Sequence, residues 1–129
     1  MKFHSEKHEQ QYHALLSKMK RNDPYHRSAA YLMALADLVP SDVFDFEEDG
    51  IRHEGIFAGW QTSSSRRTTR LMFNLWNGWA YNEEFDPDHL ENLTASTDYA
   101  VDNIFCDYEY APFFYEAIRI RFEWDLMEG

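Results

Sequence analysis

An all-α fold in the main, a compact bundle of about five or six helices built as one domain over residues 1–129, is predicted by three features of the sequence. Apolar residues recur at helical spacing in several segments, cap-plus-proline signals mark where helices begin, and the chain has the length of one ordinary domain. An apolar content of 44%, with 17% aromatic residues, provides enough surface to bury for folding without disulfides.

The first helix is expected over about residues 5–21, because Tyr12, Leu15, Leu16 and Met19 share a face and Ser5 is placed to cap it. Asn22-Asp23-Pro24 ends that helix and starts a second over 24–37, with the stripe Tyr25, Ala29, Leu32, Met33 and Ala36. So short a turn makes the pair a helical hairpin. A long ordered connection follows at 38–62, broken by Pro40, Gly50, Gly55 and Gly59, with a short helix near Ser41–Phe46. The central helix is read at 64–77 from Leu71, Met72, Leu75, Trp76 and Trp79, with Gly78 to end it.

Asp86-Pro87 repeats the cap-plus-proline signal and predicts a short helix near 87–93, and Ser96 or Thr97 predicts another at about 97–105. Ala111-Pro112 opens the last helix, 112–124, whose Phe114, Ala117, Ile118 and Phe122 are suited to the core. The alternation Ile118, Arg119, Ile120, Arg121, Phe122 leaves a strand over Ile118–Trp124 as the alternative.

The formal net charge of -11 is unevenly distributed. Residues 1–82 balance 10 acids against 10 Lys/Arg, whereas residues 83–129 hold 13 acids and only Arg119 and Arg121. An acidic surface repels phosphates, so the C-terminal third is not expected to bind nucleic acid directly; it is suited to a basic surface on a host protein. Glu83, Glu84, Asp86, Asp88, Glu91, Asp98 and Asp102 are the candidate partner-binding residues, and a merely solvating acidic face is the plain alternative.

A second constellation surrounds the start of the central helix. In Ser63-Ser64-Ser65-Arg66-Arg67-Thr68-Thr69-Arg70, free backbone N–H groups and arginine forks meet, a combination that grips phosphate or carboxylate. With Trp60, Gln61 and Asn74, the residues Arg66, Arg67 and Arg70 form a candidate ligand site. The glycine cradle of a nucleotide-binding loop is missing, and internal pairing of these arginines with the acids of residues 44–49 or of the C-terminal third is the structural reading.

Other motifs fall short of their chemistry. Asp45, Glu47, Asp49 and Gly50 match the first half of a calcium-binding loop, but Ile56 stands where the bidentate glutamate is needed. His8 and His13 are five residues apart rather than the four a helical zinc pair requires, and with His4 they are expected to face solvent. The only cysteine, Cys106, follows Ile104 and Phe105 and is expected to be a small buried apolar group. No metal, cofactor or catalytic residue is assigned. No apolar run approaches the roughly 20 residues of a membrane span, and the first residues lack a secretory signal, so a cytoplasmic protein without membrane contact is expected.

Phe44-Asp45-Phe46-Glu47, Gly59-Trp60-Gln61-Thr62-Ser63, Arg70 to Gly78 and Ala111 to Ile118, taken in order, resemble an uncharacterised family classed as a domain of unknown function, found in Gram-positive gut bacteria and their prophages. The resemblance runs from Ser5 to Arg121. It implies a mobile-element setting and carries no activity, cofactor or site residue. Together with the acidity, it favours a small phage-type interaction protein, such as a DNA mimic or an anti-CRISPR-like inhibitor of a nucleic-acid enzyme. The alternatives are a phosphate-compound-binding protein or enzyme, and a scaffold using Phe113, Phe114, Phe122 and Trp124 as an apolar seam. Oligomeric state and partner identity are not encoded in any of these patterns.

Overall fold

In the computed structural model, residues 1–84 and 86–123 are described. Six α-helices carry the architecture: α1 (Glu6–Lys18), α2 (Pro24–Leu35), α3 (Pro40–Val43), α4 (Ser63–Asn77), α5 (Val101–Ile104) and α6 (Ala111–Phe122). The single sheet among the described residues is a hairpin of β1 (Phe44–Asp45) and β2 (Gly50–Ile51). The protein is thus mostly helical, and no helix among the described residues is long and apolar enough to cross a membrane.

Local chemistry accounts for the boundaries. The Ser5 side chain accepts from the His8 amide at the start of α1, and Asp23 does the same for His26 at α2, where Pro24 occupies the first turn. Thr62 and Ser65 form a reciprocal capping box on α4, and Gly78 ends that helix in the left-handed region at φ 79°. The helix of residues 5–21 is shorter than expected because Met19 is already extended.

The helix at the centre of the bundle is α2 rather than α4. It packs against α1, α4 and α6, and Ser28 to Leu35 are all buried. Its sequence is apolar on every side, the pattern of a helix surrounded by others. Tyr31, Leu32 and Met33 meet Phe73 and Met72 of α4 and Phe114 and Ala117 of α6 in the core. The strand alternative for residues 118–124 is thereby excluded as far as Phe122, and Trp124 lies outside the described residues. Phe114 is wholly buried, so it cannot belong to an exposed seam.

The connection at 38–62 is ordered by short-range ties. Phe44 pairs with Ile51 and Asp45 with Gly50, while the Asp45 carboxylate accepts the amides of Glu47 and Glu48 inside the turn. Gly55, in a 3-10 turn over His53–Phe57, lies against α3 so closely that a Cβ there would stand 2.1 Å from the Asp42 carbonyl oxygen.

Two helices expected in the acidic third are much reduced. Residues 87–93 contain only a 3-10 turn at Leu90–Asn92, because Asp86 accepts the Asp88 amide in a local turn and no apolar stripe follows. The segment at 97–105 divides into a 3-10 turn, Thr97–Tyr99, capped by Ser96, and the one-turn helix α5. Cys106 is exposed, not buried; its thiol donates to the Asn103 carbonyl oxygen at 3.3 Å. His8 is also the reverse of the expectation, being 2% exposed.

Candidate partner-binding surface

Between α4 and α5 the chain forms a loop whose two ends are stitched together. Tyr81 and Ala95 form an antiparallel bridge, the Asn82 amide donates to the Thr94 carbonyl at 2.7 Å, and the Ser96 amide donates to Ala80 at 2.9 Å. Above this neck the chain is shaped by side chain to backbone bonds, of Asn82 with the Glu84 amide and of Asp86 with the Asp88 amide.

Seven acids were expected here to form one contact face, and the structure divides them by role. Glu83 lies inward: the Arg70 guanidinium donates from Nε to its Oε1 and, at 3.3 Å, from Nη2 to its Oε2. Both side chains are largely shielded, at 16% and 15% exposure, and Asp98 stands 3.9 Å from the same guanidinium. Burial alone would lower the Arg70 pKa; the hydrogen bond and charge of Glu83, then Asp98, carry it above its ordinary value. Glu83 is therefore the peg that fastens the loop to α4.

Glu84, Asp86, Asp88, Glu91 and Asp102 are exposed, and none forms an ion pair with Lys or Arg among the described residues. His89 stands between two of them, 3.8 Å from Asp86 and 3.2 Å from Glu91. The same stretch leaves apolar surface in solvent: Leu90 is 57% exposed, Val101 75% and Tyr108 96%.

The arginine-rich helix start is occupied by internal partners. Arg67 Nη2 donates to Asp107 Oδ2 at 3.3 Å, and Arg66 Nε donates to the Ile56 carbonyl at 3.3 Å. Asp107 also accepts from the Ser64 hydroxyl and from the Tyr110 amide, joining the starts of α4 and α6. Burial opposes its charge, but these hydrogen bonds and Arg67 hold its carboxyl below the usual carboxylate range.

Gln61 is buried, donating to the Gly55 carbonyl and to Thr69 Oγ1 while accepting from Ser65. The Trp60 indole donates to Asp42 at 2.8 Å, and Asn74 donates to the Trp79 carbonyl at 3.1 Å. Thus Trp60, Gln61, Arg66, Arg67, Arg70 and Asn74 serve the connections of α4, and their forks do not converge on one open cavity.

Sequence reasoning missed a buried histidine clasp. His26 lies between Asp23 Oδ1 at 2.6 Å and Asp49 Oδ1 at 2.8 Å, with its ring in a T-shaped contact with Trp76. It fastens the β1–β2 turn, where Asp49 adopts φ 61°, to the start of α2. The Asp23-x-x-His26 spacing hinted at half of this contact; Asp49 is distant in sequence. Asp45 pairs with Arg52, so Asp45 and Asp49 of the half calcium loop have structural work, and among the described residues no group of three His, Cys, Asp or Glu is arranged to hold a metal ion.

Comparison with curated proteins and with solved structures yields no match. A family model does match, over residues 1–128, which takes in the bundle, the pegged acidic loop and the ordered connection alike: the chain belongs to the family of unknown function DUF6075.

Proposed function

We propose that this protein is an acidic interaction protein whose loop above the Tyr81–Ala95 bridge, continued through Asp102, docks on a basic surface of a host protein. The observation that carries the reading is the division of labour among the acids. Glu83 is consumed in fastening the loop, whereas Glu84, Asp86, Asp88, Glu91 and Asp102 remain exposed without Lys or Arg partners among the described residues. Fixing such charges on a pegged loop favours electrostatic steering, and exposed Leu90, Val101 and Tyr108 add apolar contact area.

A basic surface that normally holds phosphates suits this charge. The reading therefore extends to inhibition of a nucleic-acid enzyme by mimicry of DNA, in a phage or mobile-element setting within the bacterial cytoplasm. The rival ligand-binding reading gains no support from arginine forks already paired with Glu83 and Asp107.

The test compares the protein with a variant carrying Glu84→Gln, Asp86→Asn, Asp88→Asn, Glu91→Gln and Asp102→Asn. Both are immobilised and exposed to a bacterial lysate at low salt. A nucleic-acid-binding protein retained only by the unaltered chain, and released by salt or by duplex DNA, is the expected result. Equal retention by both forms would overturn the reading, as would a partner insensitive to salt.

A further inference from the structure

A cavity of about 400 Å³ opens between α4, α5 and α6. Its walls include Leu71 and Leu75 from α4, Ile104 from α5, and Ile118 and Phe122 from α6. Leu71, Leu75 and Ile104 are buried, while the rim residues Val101 and Phe122 are 75% and 51% exposed. The volume lies within the range of small-molecule pockets, and the lining is of the required kind, apolar with few polar groups.

Arg121 gives the cavity its chemistry. Its Nε donates to the Leu75 carbonyl at 2.8 Å, and its guanidinium carbon lies 3.7 Å from the centre of the Tyr25 ring and 4.7 Å from that of Phe122. The head group is thus held in place by a carbonyl and two rings, none of which neutralises it. Among the described residues Arg27, Arg52, Arg67, Arg70 and Arg119 each meet a carboxylate, whereas Arg21, Arg66 and Arg121 meet none, and of these three Arg121 lines this cavity. The nearby Glu123 is directed to Arg27 instead. Arg121 thus brings to the wall of an apolar cavity a cation that meets no carboxylate among the described residues.

We propose that this cavity binds a small amphiphilic carboxylate, its apolar body between α4 and α6 and its carboxylate on the Arg121 guanidinium. A guanidinium already fixed at Nε presents its terminal amino groups as a preorganised fork, the geometry that carboxylates match. Asn74, also in the lining, supplies a second polar group. Val101 is shared between this cavity and the proposed docking surface, but Arg121 and the reporting residues Leu71, Ile104 and Ile118 lie outside that surface, so either reading can fail alone.

Decanoate, decanol and decyltrimethylammonium, which share an apolar chain and differ in head group, are titrated into the isotopically labelled full chain and followed by NMR. Decanoate is expected to shift the signals of Leu71, Ile104 and Ile118 at about tenfold lower concentration than decanol, with the cation weaker still. Arg121→Gln should bring decanoate down to the affinity of decanol and leave decanol unchanged.

Equal binding of the three ligands, shifts confined to other surfaces, or an unaffected decanoate affinity in Arg121→Gln would each overturn the proposal. If that variant does not fold, the head-group ranking in the unaltered chain still decides it. Binding that emerges only after Trp124→Ala would give the cavity to the chain's own end, and shifts that track protein concentration without ligand would give it to a second copy; both overturn the assignment.

Discussion

The helical bundle and the acidic loop are built by opposite means. In α2, Ser28 to Leu35 are buried against three neighbouring helices, and the fold there rests on apolar packing. From Tyr81 to Asp102 most residues are exposed, and order comes from one bridge, a few side chain to backbone bonds and the Arg70–Glu83 pair. The contrast shows how a small domain displays charge without dispersing its core: one acid is turned inward to hold the others outward. Like charges on such a loop repel, so the inward peg works against a standing tendency to open.

The largest effect should come from the bundle. Phe114→Ala removes a wholly buried ring where α6 meets α2 and should cost about 3–5 kcal/mol, read as a lower urea midpoint. A loss well under that, with α6 still formed, would mean that α6 is not part of the same cooperative unit as α2.

An intermediate effect is expected at the peg. Glu83→Ala leaves Arg70 shielded and without its bidentate partner, at a cost of about 2 kcal/mol. The distinguishing measurement is amide hydrogen exchange: residues 80–96 should lose protection while α2 keeps it. Uniform loss along the chain would show the loop to be integral to the core and break the comparison.

The smallest effect is a dependence on pH within the bundle. His8 Nδ1 accepts the His4 amide at 3.0 Å and Nε2 donates to the Tyr31 carbonyl at 2.9 Å, fixing the neutral ring. Burial, against the pull of that carbonyl, lowers its pKa below 6.5. The unfolded chain therefore takes up a proton that the folded one resists, and stability present above pH 6.5 falls as the pH drops below it. A second loss follows at lower pH, where Glu116, held below 4.5 chiefly by Arg119, and Asp107 are protonated. Urea midpoints across this range should fall in two stages; because burial also lowers the His53 pKa, His8→Gln should shrink the first stage without removing it and leave the second unchanged.

What could be read from the sequence follows the same division. Asp23-Pro24 and Asp86-Pro87 carry one signal, yet only the first starts a helix, since Tyr31, Leu32 and Met33 follow it with a face to bury. After Asp86-Pro87 come Asp88, His89, Leu90, Glu91 and Asn92, which offer no such face, and a short helix without packing is not stable. Caps at Ser5, Asp23 and Gly78 were legible because they are local. The pairings of Arg70 with Glu83, Arg67 with Asp107 and His26 with Asp49 were not, because charge patterns state how many partners exist and not which ones meet.

Cys106 turns this arrangement into a natural gauge. The only thiol of the chain is solvent-accessible and sits between α5 and α6, where the acidic stretch rejoins the bundle. A maleimide dye or nitroxide attached there needs no engineered cysteine and no removal of competing ones. With the tryptophans of the bundle as energy donors, such a label would report whether the loop's base shifts when its charged tip is engaged.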